Sequence, residues 1–232
     1  VVGTMSAVCG TSQGDSSPDL FWRSQDPNAT SATANLTNAA ADARSTAVLT
    51  IPTGAAVTHA FLYWAGENSG GDNTATLDRP DGFSANVTAT QEFTNSVYYQ
   101  SVADVTTLVQ TNGSGLYRVS GVAMKDFRNS NDDVNFGSWT LVVFYRLASE
   151  PPRNLALFDG LDLVNDGSPS SATLSGFLVP NAGFDAKLGV IAYEGDGSIT
   201  GDSLLFGMAP LANSDRLSDG VNPLDNFFNS SR

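Results

Sequence analysis

The stretch AVTHAFLYWAG, residues 56–66, decides the fold class of this chain. β-Branched and aromatic residues dominate it, and these residue types favour extended strands. The turn sequence Pro52-Thr-Gly54 lies before it, and the Gly- and Asn-rich loop ENSGGDN follows it. This stretch is therefore predicted to be a strand bounded by turns, and similar units recur along the chain.

Ten such units with frequent turn signals between them predict the strands of an antiparallel protein. They lie at 45–51, 56–66, 75–77, 83–90, 116–127, 138–147, 153–164, 172–179, 187–195 and 202–207. Only two short helices are predicted, at 35–44 and within 97–110, where Val102, Val105, Leu108 and Val109 have helical spacing. Strands do not alternate with long helices, which argues against an α/β fold. The sequence predicts an all-β fold, a β-sandwich or jelly roll of about nine or ten strands.

The domain organisation follows from composition. Residues 1–45 are rich in Ser, Thr, Ala and Asn and weakly patterned, so we expect an extended N-terminal arm. Residues 46–232 contain no linker or break in composition, so they are predicted to form a single β-sandwich domain. No run of about 18 apolar residues occurs, so no membrane-spanning segment is predicted.

The charge of the chain limits its partners. Acidic residues number 24 against 11 basic ones, which gives a net charge of −13. Nucleic acid is excluded as a partner, because phosphate binding needs clustered Lys or Arg and the only lysines are Lys125 and Lys187. The acidity favours solubility, cations or positively charged surfaces. The low Lys content and abundant Thr, Ser, Asn and Gly are typical of an extracellular β-protein, so we expect an extracellular or cell-surface location.

Several stretches, taken in their order, resemble a known family. They are THAFLYWAG (58–66), SWTLVVFYR with RNLALFDGLDLV (138–164), LGVIAYEGDGSITGD (188–202) and NFFNSS (226–231). Over about residues 45–231 the chain resembles the β-sandwich module near the N-terminus of large bacterial cell-surface proteins that carry tandem Ig-like repeats. The resemblance implies export, a structural or adhesive role and no assigned catalytic site. It also implies further sequence after NFFNSS, so we expect either missing final strands or a short member of the family, with room for strand donation by a neighbour.

Two acidic loops are candidate calcium sites, because Ca²⁺ binds six to eight oxygen ligands on a turn that wraps the ion. The first, AYEGDGSITGD (192–202), carries Glu194, Asp196 and Asp202. The second, NSNDDVNFG (129–137), carries Asp132 and Asp133. Neither loop has the spacing of an EF-hand. The alternative for each is a solvated Gly- or Asn-rich turn whose carboxylates face water.

Aromatic side chains are candidates for stacking on sugar rings. Tyr98 and Tyr99 are the main ones, because at least one of two adjacent residues in a strand faces outward. Phe93 and Trp22 are further candidates, whereas Trp64 and Trp139 lie in apolar strand patterns typical of a core. In the stretch FDGLD, Asp159 is predicted to point inward and to need Arg146 or Arg153 as a partner.

No catalytic apparatus is predicted, so we expect a protein without enzymatic activity. The chain has one histidine, His59, within a predicted strand, and one cysteine, Cys9, within the predicted arm. Among 24 acidic residues some pair always lies close, so carboxylate pairs indicate nothing about glycosidase chemistry.

The predicted function is that of a non-enzymatic extracellular structural or adhesion domain. It is a subunit of a surface fibre or layer that assembles by strand exchange, with self-association or other surface proteins as partners. The long polar arm and the resemblance favour this interpretation. The alternative, favoured by the acidic loops, is a calcium-dependent carbohydrate- or surface-binding module.

Overall fold

The computed structural model describes residues 40–79, 82–125, 136–165, 167–178, 181, 183, 186–193, 195 and 199–229. Eight strands and one α-helix lie within this part of the chain, together with short 3-10 turns at Ala40–Asp42 and Asn213–Asp215. The strands are β1 (Arg44–Leu49), β2 (Ala56–Glu67), β3 (Thr74–Asp78), β4 (Ser84–Thr88), β5 (Gln91–Asn95), β6 (Tyr98–Asp104), β7 (Gly115–Ser120) and β8 (Gly137–Arg146). The helix α1 spans Thr106–Asn112.

Two antiparallel four-stranded sheets form the sandwich. The first has the strand order β1-β7-β3-β4 and the second the order β5-β6-β2-β8. β2 is the longest strand at 12 residues and pairs with β6 on one side and β8 on the other. Trp64 at its middle lies opposite Ser101 of β6 and Trp139 of β8. The prediction of an all-β sandwich is therefore confirmed.

The core lies between the two sheets and consists of alternate residues from each strand. The second sheet contributes Leu62, Trp64 and Leu141, and the first contributes Leu77 and Val119, all fully buried. Alternate residues share one face of a strand, which is why these positions meet.

One side-chain hydrogen bond joins the sheets through this core. Trp139 Nε1 donates to Ser45 Oγ at 2.6 Å, so the buried indole N–H has a partner on the opposite sheet.

The outer face of the second sheet is buried as well. Tyr63, Ala65 and Val102 alternate with the core positions, are at most 4 % exposed, and do not belong to the inter-sheet cluster. A strand that is covered on both faces reads as a continuous apolar run, and FLYWA in β2 is such a run. Other parts of the chain must therefore cover this second face.

The predictions of strands at 153–164, 172–179, 187–195 and 202–207 were wrong for the described residues of these stretches. In the described part of these stretches the backbone forms no strand, and only the isolated bridges Asn165–Ser168 and Leu205–Arg216 occur. The strand count is therefore eight among the described residues. An alternating apolar stretch forms a strand only if a neighbouring strand supplies hydrogen bonds. The last strand of the two described sheets, β8, ends at Arg146.

The short helix predicted within 97–110 is confirmed as α1. The residues before it, Tyr98–Asp104, form β6, in which Tyr99, Ser101 and Ala103 alternate into the core. Pairing in the first sheet begins at Arg44, within the residues predicted as an arm. Residues 1–39 of that arm lie outside the described part of the chain.

Hydrogen bonds fix both ends of helix α1. Asp104 Oδ1 accepts a hydrogen bond from the Thr106 N–H at 2.8 Å, and Thr106 Oγ1 accepts one from the Ala60 N–H at 2.9 Å. Gly113, with φ 62°, ends the helix and donates its N–H to Val109 O. No helix in the described residues combines the length and hydropathy that crossing a bilayer requires.

The contact at the start of α1 predicts an acid-sensitive contribution to stability. The hydrogen bonds from Thr106 lower the pKa of Asp104. The carboxylate therefore stabilises the fold above the unfolded pKa of about 4, and this contribution is lost as the pH falls through the lowered folded pKa. Asp104→Ala is expected to lower the free energy of unfolding by about 1 kcal/mol at neutral pH and less in acid. Urea unfolding across a pH series measures this.

The neighbouring exposed residue provides the control for that series. Thr107→Ala is expected to give a small difference from wild type that does not vary with pH. A deficit for Asp104→Ala that stays constant into the most acidic samples would contradict the assignment.

The same Leu→Ala substitution is expected to change the free energy of unfolding very differently in the sandwich and in the C-terminal region. Leu62 is 0 % exposed in the core, whereas Leu155 is 59 % exposed. Leu62→Ala is expected to lower the free energy of unfolding of the monomer by about 2–5 kcal/mol. Leu155→Ala is expected to change it by less than about 0.5 kcal/mol. Equal losses in chemical unfolding experiments would show that residues after 150 belong to the same packed core.

Candidate functional site

The outer face of the second sheet is contacted by two stretches of the C-terminal region, residues 153–164 and 186–193, here called the cover. Tyr63 Oη donates a hydrogen bond to Asp159 Oδ2 at 3.1 Å. Gln100 Nε2 donates to Gly160 O at 2.9 Å. Tyr193 Oη donates to Gln100 Oε1 at 2.7 Å. These five residues, here called the latch, fix the cover to β2 and β6 through polar contacts.

Aromatic stacking adds to the latch at one end. The rings of Tyr98 and Phe136 are 5.8 Å apart and inclined at 23°, and those of Phe136 and Tyr193 are 5.4 Å apart and inclined at 9°. Offset or parallel stacking at such distances contributes about 0.5–1.5 kcal/mol per pair beyond the buried area. The stack therefore connects β6, the residue before β8 and the cover.

The tyrosines of the latch are held in their neutral form. Burial raises the pKa of Tyr63, and the adjacent Asp159 carboxylate raises it further. Burial also raises the pKa of Tyr193, with a smaller contribution from Tyr63. Both phenols therefore keep their protons, and hence their hydrogen bonds, at neutral pH.

Away from the latch, the cover exposes its apolar side chains. Among the described residues, every exposed large apolar side chain except Val48 and Tyr145 lies after residue 150. Those after residue 150 are Leu155, Leu157, Phe158, Leu163, Val164, Leu178, Leu188, Val190, Ile191, Ile199, Phe206, Met208, Leu211, Val221 and Leu224. Monomeric proteins rarely expose large contiguous apolar patches, and such patches are typical of interaction sites, so these side chains are candidates for one.

The predicted calcium ligands fall largely outside the described residues. Glu194, Asp196, Asp132 and Asp133 are among the residues that the structure does not describe. Asp202 is described, and its Oδ2 accepts a hydrogen bond from the Phe228 N–H at 2.6 Å, which fixes the backbone near the end of the chain. Within the described residues no three Asp, Glu, His or Cys side chains form a group able to hold a metal ion.

The structure separates the two tyrosines that were predicted as sugar contacts. Tyr99 lies in the core with 0 % exposure, and its hydroxyl donates to Ala123 O at 2.6 Å, so its ring offers no face to a ligand. Tyr98 is half-buried at the end of the aromatic stack. Phe93 is half-buried on β5, and Trp22 lies outside the described residues.

The prediction for Asp159 was wrong in both parts. The residue is exposed, and its described partner is the Tyr63 hydroxyl, while Arg153 pairs with Glu150 at 2.7 Å. A phenol donor satisfies a carboxylate without a buried charge pair, so the arginine is not needed.

His59 lies beside an open hollow of about 410 Å³ lined in part by Asp104 and Thr106. Its ring is exposed, and no hydrogen bond between the described residues joins it to Asp104. The Thr106 hydroxyl is held by the Ala60 backbone. These contacts fix the start of α1, and they do not align a nucleophile with a base. Cys9 lies outside the described residues.

The latch was missed at the sequence level, although one signal for it was present. In β2 the aromatic residues Phe61 and Tyr63 alternate with Leu62 and Trp64, so both faces are apolar. This pattern indicates a second covered face. Nothing in the spacing identifies Gln100, Asp159 or Tyr193 as the contacts, because they come from three distant parts of the chain.

No protein-family model, no curated protein and no solved structure matches this chain.

The latch predicts how attachment of the cover depends on pH. Because the pKa of Tyr63 is raised while the cover is attached, attachment is fully stabilised below the ordinary tyrosine pKa of about 10 and weakens as the pH rises above it. Tyr63→Phe removes one hydrogen bond, worth about 1 kcal/mol, so cleavage of the cover by a protease is expected to rise about fivefold at neutral pH. Above about pH 10 the cleavage rate of the wild type is expected to approach that of Tyr63→Phe.

Proteolysis followed by mass spectrometry measures both effects. Tyr145→Phe is the matched control, because Tyr145 is exposed on β8 and lies outside the latch. Cleavage rates that are equal for the wild type and Tyr63→Phe at neutral pH would contradict the role of Tyr63.

Proposed function

We propose that this protein is a non-enzymatic structural domain of an extracellular surface, which self-associates by β-strand pairing through its C-terminal region. One observation carries the proposal. Residues 153–164 and 186–193 have the apolar pattern of strands, yet in the described residues they pair with no strand and expose their large side chains. These features favour a subunit of a surface fibre or layer over a domain that stays single.

Strand pairing would satisfy two needs at once. The backbone of Leu155, Leu157 and Phe158 carries N–H and C=O groups that form no ladder among the described residues. A strand from a second chain would supply main-chain hydrogen bonds and would also bury the apolar side chains. Each such side chain contributes about 1.5–3 kcal/mol when it is fully buried. Several of them are enough for a stable interface.

The net charge opposes this association and makes it dependent on salt. Copies with a charge of −13 repel one another, and added salt screens the repulsion. Self-association is therefore expected to strengthen with ionic strength. Binding to a basic surface would weaken under the same change, which separates adhesion by charge from self-association.

The second candidate function is calcium-dependent binding of a carbohydrate or surface. It is favoured by Asp202, whose Oδ1 is buried without a hydrogen-bond partner, and by the partly exposed Tyr98 at the end of the aromatic stack. Calcium bound at Asp202 would draw its other ligands from the carboxylates predicted in the same loop, Glu194 and Asp196. Loss of glycan binding on chelation, in a protein that stays monomeric, would favour this function over assembly.

The apolar residues of the cover provide the direct test of self-association. The variant Leu155→Ser/Leu157→Ser/Phe158→Ser is expected to weaken it at least tenfold, because three apolar side chains no longer contribute to the interface. Light scattering and sedimentation over a range of protein concentrations, with calcium and then with chelator, measure this.

Val48→Ser is the control for that variant, since Val48 is exposed on β1 and far from the cover in sequence. It is expected to associate as the wild type does. A wild type that stays monomeric at every concentration and ionic strength would refute the proposed function. A triple variant that assembles normally would place the interface elsewhere.

A further inference from the structure

The cover is joined to the sandwich by an exposed connection. β8 ends at Arg146, and all of 148–154 is exposed. The contacts of this connection are local: the Glu150 N–H donates to Leu147 O at 3.0 Å, and Arg153 pairs with Glu150. Pro151 and Pro152 follow, and consecutive prolines hold the backbone extended. The connection is therefore a stiff spacer that makes no described contact with the sheets.

The cover itself is attached weakly for its length. Among the described residues no ladder joins it to β2, β6 or any other strand. Its described attachments are the three latch hydrogen bonds, the stacking of Tyr193 on Phe136 and the burial of the Tyr63 side chain. Each such hydrogen bond contributes about 0.5–1.5 kcal/mol. Detachment of the cover leaves the core between the two sheets intact, so it is expected to cost less than unfolding of the sandwich.

We propose that the cover is an exchangeable element, which leaves its own second sheet and docks on the same face of a second copy of this chain. This inference rests on the proposed function and identifies the element and the partner: the exchanged latch holds two copies together, and the proposed strand pairing of the cover forms between the copies that it joins. Exchange regenerates the latch between chains, with Asp159, Gly160 and Tyr193 of one copy against Tyr63 and Gln100 of the other. Exchange of an identical element is a low-cost route to dimers, and in a chain of copies it gives a fibre.

The buried outer face is the reason that the partner is a second copy. Tyr63 is 3 % exposed and contacts the cover, so its ring would become exposed when the cover leaves, and exposed apolar area costs about 25 cal/mol per Å². The occupant must also place an acceptor at the Tyr63 hydroxyl and both a donor and an acceptor at the Gln100 amide. The cover of a second copy has all three groups in the required arrangement.

Two complementary variants of the full chain test the exchange. The sheet-side variant carries Tyr63→Phe and Gln100→Ala, and the cover-side variant carries Asp159→Ala and Tyr193→Phe. Neither variant can form the complete latch alone. In a mixed pair, the intact cover of the first meets the intact sheet of the second, and one complete latch forms between chains. The two variants are unfolded together in equimolar amounts and refolded, and native mass spectrometry measures the share of mixed pairs.

The expected result is a share of mixed pairs clearly above the binomial share. The control pair is Tyr145→Phe mixed with Asp162→Ala, because Tyr145 lies outside the latch and the Asp162 carboxylate accepts a hydrogen bond from Ser170 Oγ. This control is expected to give the binomial share. Circular dichroism confirms that all four variants retain the sandwich, whose core between the sheets they leave intact.

The remaining outcomes separate the two proposals. If wild-type protein associates but the complementary variants mix at the binomial share, exchange of the cover is refuted and self-association stands. If neither the wild type nor the variants associate, both the proposed function and the exchange are refuted.

Discussion

Burial of β2 on both of its faces is the constraint on which the rest of the structure depends. On the inner face Leu62 and Trp64 pack against the first sheet, and the Trp139 indole completes the contact by its hydrogen bond to Ser45. On the outer face Tyr63 and Ala65 are equally inaccessible to water. A strand with two apolar faces must be buried on both sides. The first sheet lies against the inner face of β2, and the C-terminal cover contacts the outer face.

Different forces hold the first sheet and the cover against the second sheet. The first sheet is joined to the second by a continuous apolar core of close-packed side chains, which contributes through burial and dispersion. The C-terminal cover is held by phenol, amide and carboxylate groups and by one aromatic stack. Polar contacts of this kind exchange readily with water, so the cover can separate while the sandwich stays folded. Its apolar side chains, exposed in the single chain, gain from contact with another chain.

Much of the sandwich could be predicted from the sequence, because its strands carry their own signals. β2 and β8 are dense in β-branched and aromatic residues, and turn residues bound them. The same reasoning failed after Arg146, where LALFDGLDLV has a strand pattern but no strand neighbour among the described residues. The alternation of residues shows that a segment can form a strand, but strand formation also requires a neighbouring strand that supplies main-chain hydrogen bonds. The latch could not be predicted, since Tyr63, Gln100 and Tyr193 meet only through the fold.

Hydrogen exchange measured on the single chain and on associated protein tests the central claim most directly. In both states the amides of β2 and β6 are expected to be protected, because their ladders lie within the sandwich. The amides of residues 153–164 are expected to exchange rapidly in the single chain and to become protected on association. Slow exchange of these amides in the monomer would contradict the account, since it would show that the strand is already paired within its own chain.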